Sequence, residues 1–225
     1  MASLYIIPAS FFGYQSFSYD AILELVFAII TLIVSAYAFK VYKLSQQKQS
    51  KLFGIAFLFI SASYFIWSII NFGILEKFED SIPNYVNLHN INALITIGVY
   101  IHIILFITGL VTLTYMTFKI KSPKIYSLLL ILTLISLSFS SNVIFLFYLL
   151  SSLLLIYIVL HYLMNYINHK QARTLLVLIA FIFILFSTIH FIFSVNHALY
   201  YIIGHFVELG AYFLILINLI LVIKK

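Results

Sequence analysis

Six residues carry the chemistry this sequence can do: Glu24, His102, His190, Tyr201, His205 and Glu208. All lie within apolar runs, where an Asp, Lys or Arg at mid-membrane costs about 2.5–3.5 kcal/mol and an interior position or a partner relieves the penalty. Carboxylates beside imidazoles can orient a small ligand, hold a metal or relay a proton. Tyr201, His205, Glu208 and Tyr212 recur at helical spacing and form one stripe on one face. Asp20, Glu24, Thr31 and Ser35 make a second stripe, and Ser61, Tyr64, Ser68 and Asn71 a third. Three polar faces that must avoid lipid are expected to enclose an outward-facing pocket for a small ligand or metal.

His190, His205 and Glu208 are the candidate metal ligands, because zinc accepts imidazole and carboxylate in tetrahedral geometry and His102 can complete the set. No H-E-x-x-H spacing is present. A b-type haem would need two facing histidines, for which His102 and His205 are the best pair. His102 and Glu208 are also expected near the bilayer midplane, as the floor of the pocket. The bland use of such groups is interhelical hydrogen bonding, worth about 0.6 kcal/mol each. Zero cysteines exclude disulfides, thiolate ligands, Cys nucleophiles and palmitoylation. There is no Gly-rich phosphate loop, no G-x-S-x-G elbow and no lysine before Lys224 in the last apolar run to form a retinal Schiff base. Enzymatic activity is the less expected reading.

The elements that position these groups follow from composition. Of 225 residues, 64% are hydrophobic and 8% charged, against about 25% charged in soluble domains. A membrane-spanning helix needs about 20 apolar residues, so seven spans leave too little chain for a soluble domain. The expected fold is all-α, a polytopic seven-helix transmembrane bundle over residues 20–225, with spans near 20–40, 52–73, 91–118, 125–140, 142–166, 171–194 and 198–223. Residues 1–19, with Phe11, Phe12, Tyr14, Phe17 and Tyr19, form an outer interfacial segment without the basic start of a signal peptide. The net charge of +6 is a topology signal and not a nucleic-acid footprint, because every Lys and Arg except Lys77 falls in alternate gaps. This puts the N-terminus outside and the C-terminus inside the cell membrane. The three prolines, Pro8, Pro83 and Pro123, lie outside the spans.

An internal 3+1+3 duplication is a further expectation. Ile55 to Ile60 align without a gap on Ile179 to Ile184, and Ser63 on Ser187. Gly98 and His102 match Gly204 and Glu208, as in a parallel repeat.

The run Asp20-Ala-Ile-Leu-Glu24, the basic gap after span one, and Gly204-His205 with Glu208 resemble the seven-helix, membrane-associated sensor domains that precede histidine kinases and cyclases. That resemblance implies a ligand or redox-sensing pocket. Because the chain ends two residues after span seven, a sensor would signal through a separate cytoplasmic protein or a second copy of itself. The repeat is similar to the small sugar carriers of the PQ-loop type, although their proline motif is missing here. An intramembrane metal-dependent hydrolase, with Glu24 or Glu208 as base, is the third class.

Overall fold

The computed structural model of the protein describes residues 13–79, 88–118, 122–194 and 198–224, with side chains over 19–75, 93–118, 122–194 and 199–224. The described residues form seven helices: α1 (Gly13–Ser45), α2 (Lys48–Glu79), α3 (Leu88–Phe118), α4 (Pro123–Ser138), α5 (Val143–His169), α6 (Ala172–Phe193) and α7 (Ala198–Ile223). None of them is in a strand. Six helices are long and apolar enough to cross a membrane, and the exception is α4. Its 16 residues reach roughly 24 Å at 1.5 Å per residue, short of the about 30 Å hydrocarbon core. The seven helices lie where the seven spans were expected, but six and not seven are long enough to cross, and the fourth helix lies two residues earlier than the expected 125–140. The helix of the first span begins at Gly13, so part of the expected interfacial segment is helical. Phe11, Phe12 and the side chains of Tyr14 and Phe17 lie outside the described residues, as do residues 80–87 of the acidic gap, the side chains of Glu76, Lys77 and Glu79, and His197.

The helices pack as a closed ring in the order α1, α2, α3, α5, α6, α7, with α7 returning to α1; α4 stands outside the ring against α3 and α5. Ring contacts give the directions. Phe27 of α1 sits 5.5 Å from His205 and 6.0 Å from Tyr212 of α7, while the Asp20 carboxylate accepts a hydrogen bond from Tyr201, so α1 and α7 run parallel. His102 lies 6.0 Å from Phe147, and Phe118 5.0 Å from Tyr157, so α3 and α5 are parallel too. Two parallel neighbours need a connector that returns along the bundle. That connector is α4, which starts beside the end of α3 through a 3.2 Å bond between Tyr126 and Thr112 hydroxyls.

The ring thus has an N-terminal end, where the odd-numbered helices begin, and a C-terminal end. Lys40, Lys43, Lys48, Lys51, Lys124, Lys170, Arg173 and Lys224 all lie at or near the C-terminal end.

Local chemistry explains the turns there. Gln46 and Lys170 take left-handed backbone angles, φ 55° and 49°, and their N–H groups return to Tyr42 O at 2.8 Å and Tyr166 O at 2.7 Å. Such a residue satisfies a terminal carbonyl and turns the chain. At the other end, Asn142 caps α5 by accepting from Phe145 N–H at 3.1 Å.

Small and hydroxylated residues hold neighbouring helices close, as expected where lipid removes the hydrophobic drive between them. Ser35, Ser61 and Ser68 donate to Gly54 O, Ala28 O and Ala21 O at 2.7–2.8 Å, fastening α1 to α2. A methyl group on Gly109 would lie 2.9 Å from Ala56 O and 2.7 Å from Ile60 Cγ1, so only glycine allows this approach of α3 to α2. Outward faces remain apolar, with Ile22, Leu132 and Phe206 more than half exposed.

Candidate functional site

The polar stripes turn inward. Glu24, Thr31, Ser35, Ser61, Tyr64, Ser68, Asn71, His205, Glu208 and Tyr212 are all buried, while Phe206 and Phe213 on the opposite side of α7 are exposed. In the N-terminal half of the ring, four of them, Glu24, Tyr64, His205 and Glu208, border a cavity of about 130 Å³, reached by all six ring helices. Glu24, His102, Tyr201, His205 and Glu208 line it. His190 does not. Thr188 and Phe191 are the α6 residues that face the cavity, and at 3.6 residues per turn the two positions between them, Ile189 and His190, point elsewhere. The His190 ring instead packs 4.0 Å from Phe186, with Nδ1 2.9 Å from Phe186 O.

The two glutamates are served differently. Tyr64 and Tyr212 both donate to Glu208 Oε1, Tyr212 at 2.9 Å, and the two hydroxyl oxygens are 2.9 Å apart. Glu24 Oε2 has no partner, nor does either ring nitrogen of His205 or the hydroxyl of Ser151. His205 is enclosed by rings of Phe27, Phe191 and Tyr201 at 5.5, 4.9 and 4.3 Å. Buried polar atoms are normally paired, so four unpaired ones around a single cavity need a bound molecule or water. The His102 Nδ1 lies 3.2 Å from Ser63 O. His102 and Glu208 both reach the cavity but do not pair; Tyr64 stands between them, its ring 5.8 Å from His102 and its hydroxyl on Glu208.

The expected metal trio is not assembled. His190 faces away, the Glu208 carboxylate is engaged by two hydroxyls, and no three His, Cys, Asp or Glu side chains among the described residues are grouped to hold a metal ion. A haem between His102 and His205 does not fit either. A cavity of about 130 Å³ is near the about 150 Å³ that admits benzene, far too small for a porphyrin.

Trp67, Phe106, Phe147, Tyr148 and Phe191 also border the cavity, and the chemistry of the stripes did not single them out. Their signal was faint: Trp67 follows Tyr64 by three positions, and Tyr148 precedes Ser151 by three, each pair sharing one helix face. A second cavity, about 310 Å³, lies at the C-terminal end, bordered by Gln47, Ser50, Thr117, His161, Asn165 and Asn218 among others. Asn218 is buried and its Oδ1 has no partner. The same six helices line both cavities. Between them lie Phe57, Leu110, Leu155, Phe181 and Tyr212, each at most 1% exposed.

The chain matches no protein-family model, no curated protein and no solved structure.

Proposed function

We propose that this integral membrane protein is of receptor or sensor type and binds a small molecule in the cavity between Glu24, Tyr201, His205 and Glu208. The observation that carries this reading is the set of unpartnered buried atoms, Glu24 Oε2, Ser151 Oγ and both His205 nitrogens, on residues that line one cavity. Leaving a buried polar group unpaired costs about 1–3 kcal/mol, a cost that a ligand hydrogen-bonding to these atoms would remove. The orientation that goes with it has the N-terminal end outside, because the lysine and arginine residues crowd the other end; this makes the cavity outward-facing and α4 a seventh crossing. The output would pass to a cytoplasmic partner or a second copy, in keeping with the resemblance to sensor domains.

A parallel duplication supports the cavity as a designed centre. Gln46 and Lys170, the two left-handed turn residues, have the same separation as Ile55 and Ile179, as Trp67 and Phe191, and as Glu24 and Tyr148. Ala56, Phe57, Ile60 and Ser63 are buried, and so are their counterparts Ala180, Phe181, Ile184 and Ser187. A methyl group on Gly98 would meet Trp67, and one on Gly204 would meet Phe191. The cavity then lies between two triplets, α1 to α3 and α5 to α7, with α4 as linker.

The second cavity favours one other reading, a solute transporter in which the two triplets rock around the seal of Phe57, Leu110, Phe181 and Tyr212. Purified protein in sealed vesicles separates the two. Saturable ligand binding without uptake of the bound compound supports the sensor reading, whereas uptake lost on Glu24→Gln replaces it with the transporter. Absence of any saturable ligand removes both.

A further inference from the structure

We infer that the cavity between Glu24 and Glu208 selects a small organic cation, a compact alkylammonium of about five to seven non-hydrogen atoms. This inference rests on the cavity being a ligand site, and goes beyond that reading by naming the ligand's charge and body. Size comes first: about 130 Å³ is the scale of a cavity that accepts benzene. Charge comes next. The lining includes two carboxylates and no lysine or arginine, and neither His102 nor His205 bonds to either carboxylate. Glu208 Oε1 accepts from two hydroxyls, whereas Glu24 Oε2, on a residue only 5% exposed, is buried without a partner and is the acceptor offered to a positive group.

The remaining wall decides between a cation and a neutral donor. Trp67, Phe106, Phe147, Tyr148, Phe191 and Tyr201 turn the space into an aromatic box. Ring faces carry the negative end of the aromatic quadrupole and attract ammonium groups, most strongly where water is excluded, as in the cages that hold quaternary ammonium. A polyol of equal size would find few partners for its hydroxyls on such a wall and would leave them unsatisfied. An anion would face two carboxylates and the same ring faces.

The chain contains one tryptophan, Trp67, and it borders the cavity, so its emission reports occupancy without a label. Purified full-length protein in lipid nanodiscs is titrated with choline, with its uncharged isostere 3,3-dimethylbutan-1-ol and with the anion 3,3-dimethylbutyrate. The inference expects a saturable change with choline, at least tenfold weaker binding of the neutral isostere and none of the anion. Glu24→Gln, which keeps the shape of the side chain, should weaken choline at least tenfold and leave the isostere unchanged; Tyr148→Leu should weaken choline as an independent variant. Equal or tighter binding of the isostere or the anion would overturn the cation inference and leave the cavity standing as a ligand site. No saturable response to any of the three would overturn both.

Discussion

Replacing Glu24 with methionine should stabilise the ligand-free protein, while the same replacement at Glu208 should weaken it. Both carboxylates border one cavity and both are at least 95% buried, so burial alone predicts equal effects. Their partners differ. Glu24 Oε2 has none, and removing an unsatisfied buried polar atom recovers about 1–3 kcal/mol. Glu208 accepts from Tyr64 and Tyr212. Without it the two hydroxyls, 2.9 Å apart, can bond to each other, which leaves one donor unpaired and a loss of about the same size. A chain of this length shifts its midpoint by about 2–4 °C per kcal/mol, so a change of about 2 kcal/mol gives roughly 4–8 °C up for Glu24→Met and roughly 4–8 °C down for Glu208→Met. Methionine is the suitable probe because it is unbranched and fills the space flexibly, which limits any cavity contribution. Thermal unfolding in nanodiscs, followed by the helical circular dichroism signal, measures both. A midpoint lowered equally by the two substitutions would refute the reasoning, since it would mean that Glu24 is as well partnered as Glu208. Stability gained at the expense of binding is the usual signature of a functional group, and Glu24→Met should lose ligand response while it gains stability.

Gly109→Ala should destabilise by about 1–3 kcal/mol through overpacking, because the added carbon meets the Ala56 carbonyl oxygen at 2.9 Å, whereas Gly210→Ala, which meets nothing within 4 Å, should be neutral or stabilising in the same melts. Single cysteines at the exposed positions Gln47 and Gln171 should react with an impermeant thiol reagent from the cytoplasmic side and one at exposed Ser141 from the outside only; labelling of Ser141 and Gln47 from one side would mean that α4 does not cross. His190→Leu should leave the Trp67 emission response intact because that side chain packs on Phe186 outside the cavity, while His205→Leu should alter it; equal effects would count against the assignment of the lining.

Much of the fold was legible because apolar length and charge alternation dominate a chain of this kind. Seven runs became seven helices, and the three stripes turned inward as their spacing required. The fourth run was harder to read, since 16 residues beside α3 and α5 serve equally as a short crossing or as a peripheral brace, and hydropathy does not separate the two. Cavity-lining residues were legible where an ionisable group stood in an apolar run, as at Glu24, His102, His205 and Glu208. His190 shows the limit of that rule. It meets the composition criterion, but its angular position beside Phe191 turns it out of the ring, and only a helix register measured against the neighbouring helices reveals this. The aromatic lining was illegible for the opposite reason: Trp67, Phe147 and Phe191 are ordinary core residues in a chain with 23 phenylalanines, and a cage differs from a core only in the space it leaves empty.

The proposed duplication would also constrain the ligand, because the cavity lacks the symmetry such a duplication would give it. Under it Glu24 would correspond to Tyr148, Trp67 to Phe191, Val99 to His205 and His102 to Glu208, and all eight residues border the space. In the proposed arrangement, both carboxylates and the unpartnered imidazole come from α1 and α7, whereas α3 and α5 contribute His102, Phe106, Phe147 and Tyr148. A site with two-fold character would suit a symmetric ligand or two copies of one. This one has an acidic wall facing an aromatic wall, and such a space orients a molecule with a charged end and an apolar body. The shared interface α1/α7 is also one of the two seams between the triplets. A ligand drawn to Glu24 and Glu208 would therefore bind along that seam, where closing or opening it changes how the two halves meet.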